Sequence, residues 1–207
     1  MRRASLFLLL ACAAISAGAD SAPPAAARAD ADLLVRSGLH FAEGALKKQA
    51  SDDEAAKKAA KKEGGKKAKQ AAERTAWLEP FALVMGKDQR ISRLQLAKHH
   101  GQRSSEELLD ELGASLRARA DAGEIVAVAI FSDVVISLPG GGRSDAIHAA
   151  WEHQGGVCAD VFVPYTIHGA DVRLEQQFET PRRAAVFQGC GEARKDAPAR
   201  SEDTSPR

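Results

Sequence analysis

The chain has 207 residues, with 29 Lys and Arg against 28 Asp and Glu and a formal charge of +1. That length suits one domain with tails, and so even a charge balance excludes a surface built throughout for nucleic acid. Aromatic residues make up 5% and Cys only three positions, too few rings to spare for stacking sugars or bases and too few thiols for a dense disulfide scaffold.

Arg2 and Arg3 precede an apolar run from Leu6 to Ile15, and Ala17-Gly18-Ala19 follows. Basic, apolar, then small-x-small predicts a cleaved secretory signal over 1–19, cut between Ala19 and Asp20. The run is shorter than the roughly 20 residues of a membrane span. Leu9-Leu10-Ala11-Cys12 also resembles a bacterial lipobox, which would make Cys12 a lipidated first residue. The apolar run continues well past Cys12, which favours the cleaved signal. The expected compartment is the periplasm, where thiols can pair.

Residues 20–29 read as a short linker of Pro and small residues. Over 30–46, a possible N-cap at Asp30 or Asp32 precedes Leu33, Leu34, Phe41, Ala45 and Leu46 at helical spacing, which predicts a first helix. Residues 47–74 are low in complexity, with nine Lys and one Arg against five acids, and show no apolar stripe. They predict a solvated helix broken at Gly64-Gly65, or disorder, inserted as a spacer. The lysines could meet an anionic polymer or membrane surface through weak electrostatic contact.

The domain body is expected over 75–190. Phe81 to Met85 reads as a strand, Gly86-Lys87-Asp88 as a turn and Ile91 to Leu96 as its hairpin partner. Ser104 lies three residues before Glu107, the spacing of a capping box. Leu108, Leu109, Leu112, Leu116 and Ala120 then line one helical face, and Gly123 supplies a stop. From Ile125 the period changes to two, and further strands are read at 125–138, 145–153, 157–167 and 172–178, with a short closing run at 184–187. The polar tail 191–207 should be disordered. Pairing His153 with Val157 sets Trp151 opposite Ala159, Ala149 opposite Val161 and Ile147 opposite Val163, on one apolar face. That register needs a three-residue loop with Gly156 in the left-handed region.

Short links between consecutive strands favour antiparallel pairing. The predicted class is α+β, an antiparallel sheet of five to six strands with two helices packed on one face. The run SDAIHAAWEHQGGVCADVFVPY, with its preceding strand, resembles a family of uncharacterised small bacterial α+β proteins, exported or soluble. The likeness covers roughly Phe81 to Phe187 and implies the fold, with no activity to carry over.

No complete catalytic motif is present. Ser137 to Ser144, SLPGGGRS, has the length of a phosphate-binding loop but lacks Gly at its first position and Lys at its seventh, and a strand is expected after it. Six histidines form no HExxH and accompany no CxxC, and adjacent His99-His100 diverge unless the backbone turns there. His148 and His153 fall on opposite faces of one strand. His148, Glu152 and Asp160 are left as a candidate polar face. With Cys12 removed, Cys158 and Cys190 remain as a candidate disulfide. No catalytic, cofactor or metal residue is assigned.

The leading functional expectation is an exported, non-catalytic binding or accessory protein acting on an unknown envelope component, without specific nucleic-acid binding. The alternatives are a periplasmic hydrolase with its site around His148 and Asp160, and a protein inhibitor or immunity factor.

Overall fold

A computed structural model describes residues 24–63, 78–94, 96, 104–138 and 141–187. The signal segment, Cys12, the Ala19/Asp20 cut, Gly64-Gly65, His99, His100, Cys190 and the tail lie outside the described residues. Two helices, α1 (Pro24–Glu63) and α2 (Ser105–Asp121), accompany seven strands. These are β1 (Phe81–Gly86), β2 (Ile91–Leu94), β3 (Ile125–Ser137), β4 (Arg143–His153), β5 (Val157–His168), β6 (Asp171–Leu174) and β7 (Phe178–Pro181). All pairings are antiparallel, in the order β2-β1-β3-β4-β5-β6, with β7 also on β5. The chain is α+β.

The β4–β5 register is the expected one: His153 faces Val157, Trp151 faces Ala159 and Ile147 faces Val163. The three-residue loop closes with the Gly156 N–H donating to the His153 carbonyl at 3.0 Å and φ of 78° at Gly156. A side chain there would be strained, and a slipped register would have moved Trp151 out of the core. The α2 start also follows its sequence, with Ser104 and Glu107 completing a reciprocal capping box. Gly141 and Gly142 lead directly into strand β4, and Leu138 N–H bonds the Gly142 carbonyl at 3.1 Å, as in a hairpin rather than a loop before a helix.

Five readings are corrected. The helices do not share a face. Alternating residues of β3 are apolar on both sides, so each side needs cover. Helix α1 packs on Phe81, Leu83, Ala129, Phe131 and Trp151. Helix α2 packs through Leu112 and Leu116 on Ala82, Val84 and Val128 of the opposite side.

The linker read over 20–29 is helical from Pro24, a residue suited to a first helical turn. Ala27 is fully buried, and Arg28 forks onto Glu179 of β7 at 2.7 and 2.6 Å while its guanidinium lies 5.1 Å over Trp151. Those contacts hold the first turns on the sheet. The stripe that docks combines Ala27, Ala31, Ala42 and Ala50 with the expected Leu34 and Leu46, whereas Leu33 and Phe41 are exposed.

Helix α1 also runs without a break through the first part of the Lys-rich stretch. Ala50 belongs to the core and Ala60 is buried, so 47–63 is not a bare spacer. Lys47, Lys48, Lys57, Lys58 and Lys61 remain exposed, several paired one turn away, as Lys48 with Asp52 and Lys58 with Glu54.

The strand read over 172–178 is two strands, β6 and β7. The Pro164 carbonyl accepts from Glu175 N–H at 2.8 Å on this edge, where Pro164 has no N–H to offer in return. The ladder therefore breaks opposite Pro164. Residues 184–187 form no strand, because their amides are taken by a side chain, as described next.

Candidate functional site

Among the described residues the sheet is covered only in part on the α2 side, and a cavity of about 480 Å³ opens beside the helix. The β4 and β5 registers bring His148, Glu152 and Asp160 onto this one side, since Ala150 is the Cα partner of Asp160 and lies between His148 and Glu152. His148 Nε2 lies 2.8 Å from Asp160 Oδ1. Arg182 Nη1 donates to the same oxygen at 3.0 Å, and Arg182 Nη2 lies 3.1 Å from Glu152 Oε1. Burial opposes ionisation of Asp160, but the His148 hydrogen bond and the Arg182 charge outweigh it and hold the carboxyl below its usual range.

Glu152 is 1% exposed. Its carboxylate accepts three consecutive backbone N–H groups, from Ala185 and Val186 at 2.8 Å and Phe187 at 3.0 Å. Successive amides of a strand point to alternate sides, so a chain that aims three at one carboxylate is wound into a nest. Segment 182–187 thus forms a wall of the cavity and seats Val186 and Phe187 against Leu112 and Leu116. Beside it, Cys158 is disulfide-bonded. The Cys158–Cys190 pairing itself lies partly outside the described residues.

Three rings stack across the strands. His148 lies 4.7 Å from Phe162 at 12°, and Phe162 lies 5.3 Å from Phe178 at 20°. The His148 ring is held by this stack and by its Asp160 contact. On its other side stands Ser132, its Cα partner on β3, which also lines the cavity. Among the described residues no hydrogen bond links Ser132 to His148, and no three of His, Cys, Asp or Glu gather as a metal site would require.

The α1 side carries a separate polar pair. The Asp133 carboxylate accepts from Tyr165 Oη at 2.9 Å and from Leu78 N–H at 3.3 Å. Burial nevertheless raises the Asp133 pKa, and burial beside Asp133 raises that of Tyr165. Here too stands His153, 1% exposed, whose Nδ1 accepts from Gly155 N–H at 2.8 Å. The ring proton is therefore assigned to Nε2, 3.4 Å from Asp30. Burial pushes the His153 pKa down, with Asp30 opposing. Below about pH 6.5 the unfolded imidazole binds a proton before the folded one does, so stability present above that pH falls as the medium is acidified. Thermal melts should show a midpoint dropping from pH 6.5 to 5.5, and His153→Gln should flatten the slope in that interval. An unchanged slope would place the sensitivity elsewhere.

Sequence reading missed Arg182, Ser132, Arg117 and Gly113 at this site. Arg182 sits in a run without a periodic pattern, and its partners lie 22 residues back at Asp160 and 30 back at Glu152. No family model, curated protein or solved structure matches the chain, and the resemblance read over Phe81 to Phe187 gains no support from them. Among the described residues no helix is long and apolar enough to cross a membrane.

Proposed function

We propose that the protein is an exported, non-catalytic binding protein of the bacterial envelope, with its ligand site in the cavity beside α2. One observation carries this reading. The cavity has the size of a small-molecule site, and its polar groups are committed to one another through the His148–Asp160–Arg182–Glu152 chain of contacts. Such a network holds a rigid wall with fixed donors and acceptors. A hydrolase would need an activated nucleophile, and the hydroxyl that lines the cavity, on Ser132, has no hydrogen bond to His148 among the described residues. The export half of the reading rests on the N-terminal pattern of Arg2, Arg3 and the apolar run. The exposed lysines of α1 suit a weak, salt-sensitive contact with an anionic polymer or membrane surface.

The test is a fragment screen by amide chemical shifts, run beside assays for ester, phosphate and peptide hydrolysis. The expected result is saturable shifts at Ser132, His148 and Ala150 without turnover. Turnover that disappears in Ser132→Ala and His148→Ala would replace this reading with the hydrolase. A tight complex with another protein, with no small-molecule binding, would replace it with the inhibitor.

A further inference from the structure

The ring stack stops where the cavity begins. His148, Phe162 and Phe178 occupy one rung on β4, β5 and β7, and the next residue of that rung is Ser132 on β3. Phe162 covers one face of the imidazole. Its other side adjoins a space lined by Ser132, Ala150 and Ile130. A flat ring placed there would continue the stack at ordinary aromatic spacing.

The facing surface of α2 is open for a reason that packing does not supply. Gly113 is buried on the inner side of the helix and lines the cavity. A Cβ at Gly113 would meet only Arg117 Nη1, at 3.4 Å. The neighbours therefore tolerate Ala, which would stabilise a helix interior by about 1 kcal/mol. Glycine here forgoes that gain and leaves room between helix and sheet.

The rim of the cavity is charged. Arg182 is shared between Asp160 and Glu152. Arg117 and Arg183 also line the cavity and are exposed. Among the described residues the Arg117 side chain uses one donor, on the Ala185 carbonyl at 3.4 Å, and the Arg183 guanidinium has no partner. Asp110 sits on the same lining, and with Asp160 and Glu152 it balances the three arginines, so an anion would meet the exposed Arg117 and Arg183 guanidiniums themselves rather than a net charge.

From these features we infer that the cavity takes a small planar monocarboxylate, an aromatic or heteroaromatic acid. Its ring lies between the free side of His148 and Gly113, and its carboxylate meets Arg117 and Arg183. The inference rests on the reading of the cavity as a ligand site and narrows it to one chemical class.

The full chain is titrated with benzoate, cyclohexanecarboxylate, benzyl alcohol and inorganic phosphate while amide shifts are followed. Benzoate should shift Gly113, Ser132 and His148 saturably. Loss of planarity should weaken binding by roughly two- to tenfold, and loss of charge by about tenfold. Gly113→Leu should abolish benzoate binding by filling the space. Because that change could disturb α2, Arg183→Gln on the surface provides a second arm: it should weaken benzoate and leave benzyl alcohol unchanged. Equal affinity for benzoate and cyclohexanecarboxylate, or for benzoate and phosphate, would overturn the inference. Shifts at the same amides from uncharged fragments alone would also overturn it while leaving the ligand-site reading in place. Substrate turnover at the cavity would overturn that reading instead.

Discussion

Glu152→Ala is expected to lower stability by about 3 to 5 kcal/mol, read from denaturant unfolding of the two proteins. The side chain is 1% exposed and accepts the amides of Ala185, Val186 and Phe187 as well as the Arg182 guanidinium. Truncation leaves three backbone donors without an acceptor and strips Arg182 of its Nη2 partner while Nη1 keeps Asp160, and an unsatisfied buried donor costs about 1 to 3 kcal/mol by itself. Glu152→Gln should recover only part of the loss. Oε1 serves Ala185 and Arg182, and Oε2 serves Val186 and Phe187. An amide can accept on one side only, so its NH₂ group faces donors on the other. Segment 182–187 should detach in both variants, exposing the Arg182–Arg183 bonds to faster cleavage by trypsin. A loss below about 1 kcal/mol in Glu152→Ala would show that the nest contributes little.

Gly38→Ala should also destabilise the protein, although an alanine normally favours a helix. A Cβ at Gly38 would lie 1.9 Å from Phe131 Cζ and 2.2 Å from Cε2. Phe131 is fully buried and stacked on Phe81 with ring centroids 4.8 Å apart, so it has no vacant direction in which to turn. Helix α1 must lift from the sheet, and overpacking of this kind costs about 1 to 3 kcal/mol or more. The helix-propensity gain of about 1 kcal/mol offsets part of that. The thermal midpoint should fall, and Gly44→Ala, where a Cβ meets nothing within 4 Å, should hold or raise it. Parity between the two variants would refute a close approach at Gly38.

The contrast between these two glycines explains why part of the fold can be read locally. In the sequence Gly38 and Gly44 look alike, six residues apart on one helix. What separates them is Phe131, which lies 93 positions after Gly38 in the chain. The α2 capping box has both members within four residues, and the β4–β5 register follows from the alternation on either side of Gly155-Gly156. Each of those features is specified by neighbours, so residue types and spacing suffice to predict it. The predicted linker failed for the opposite reason. Residues 24–29 lack an apolar stripe, and their helix is held by Trp151 and Glu179 from distant strands.

The candidate site divides along the same line. That His148 and His153 part to opposite faces, and that His148, Glu152 and Asp160 share one, follows from strand period and loop length. The composition and spacing of the chain thus set its class, most strand boundaries and one hairpin register. The side taken by each helix, the nest around Glu152 and the cavity beside Gly113 came from packing between segments far apart in the chain. Both faces of β3 are apolar, so local pattern demands cover on each without naming the helix that supplies it. A buried carboxylate looks like any surface Glu until the amides that satisfy it, more than 30 residues away, fold onto it.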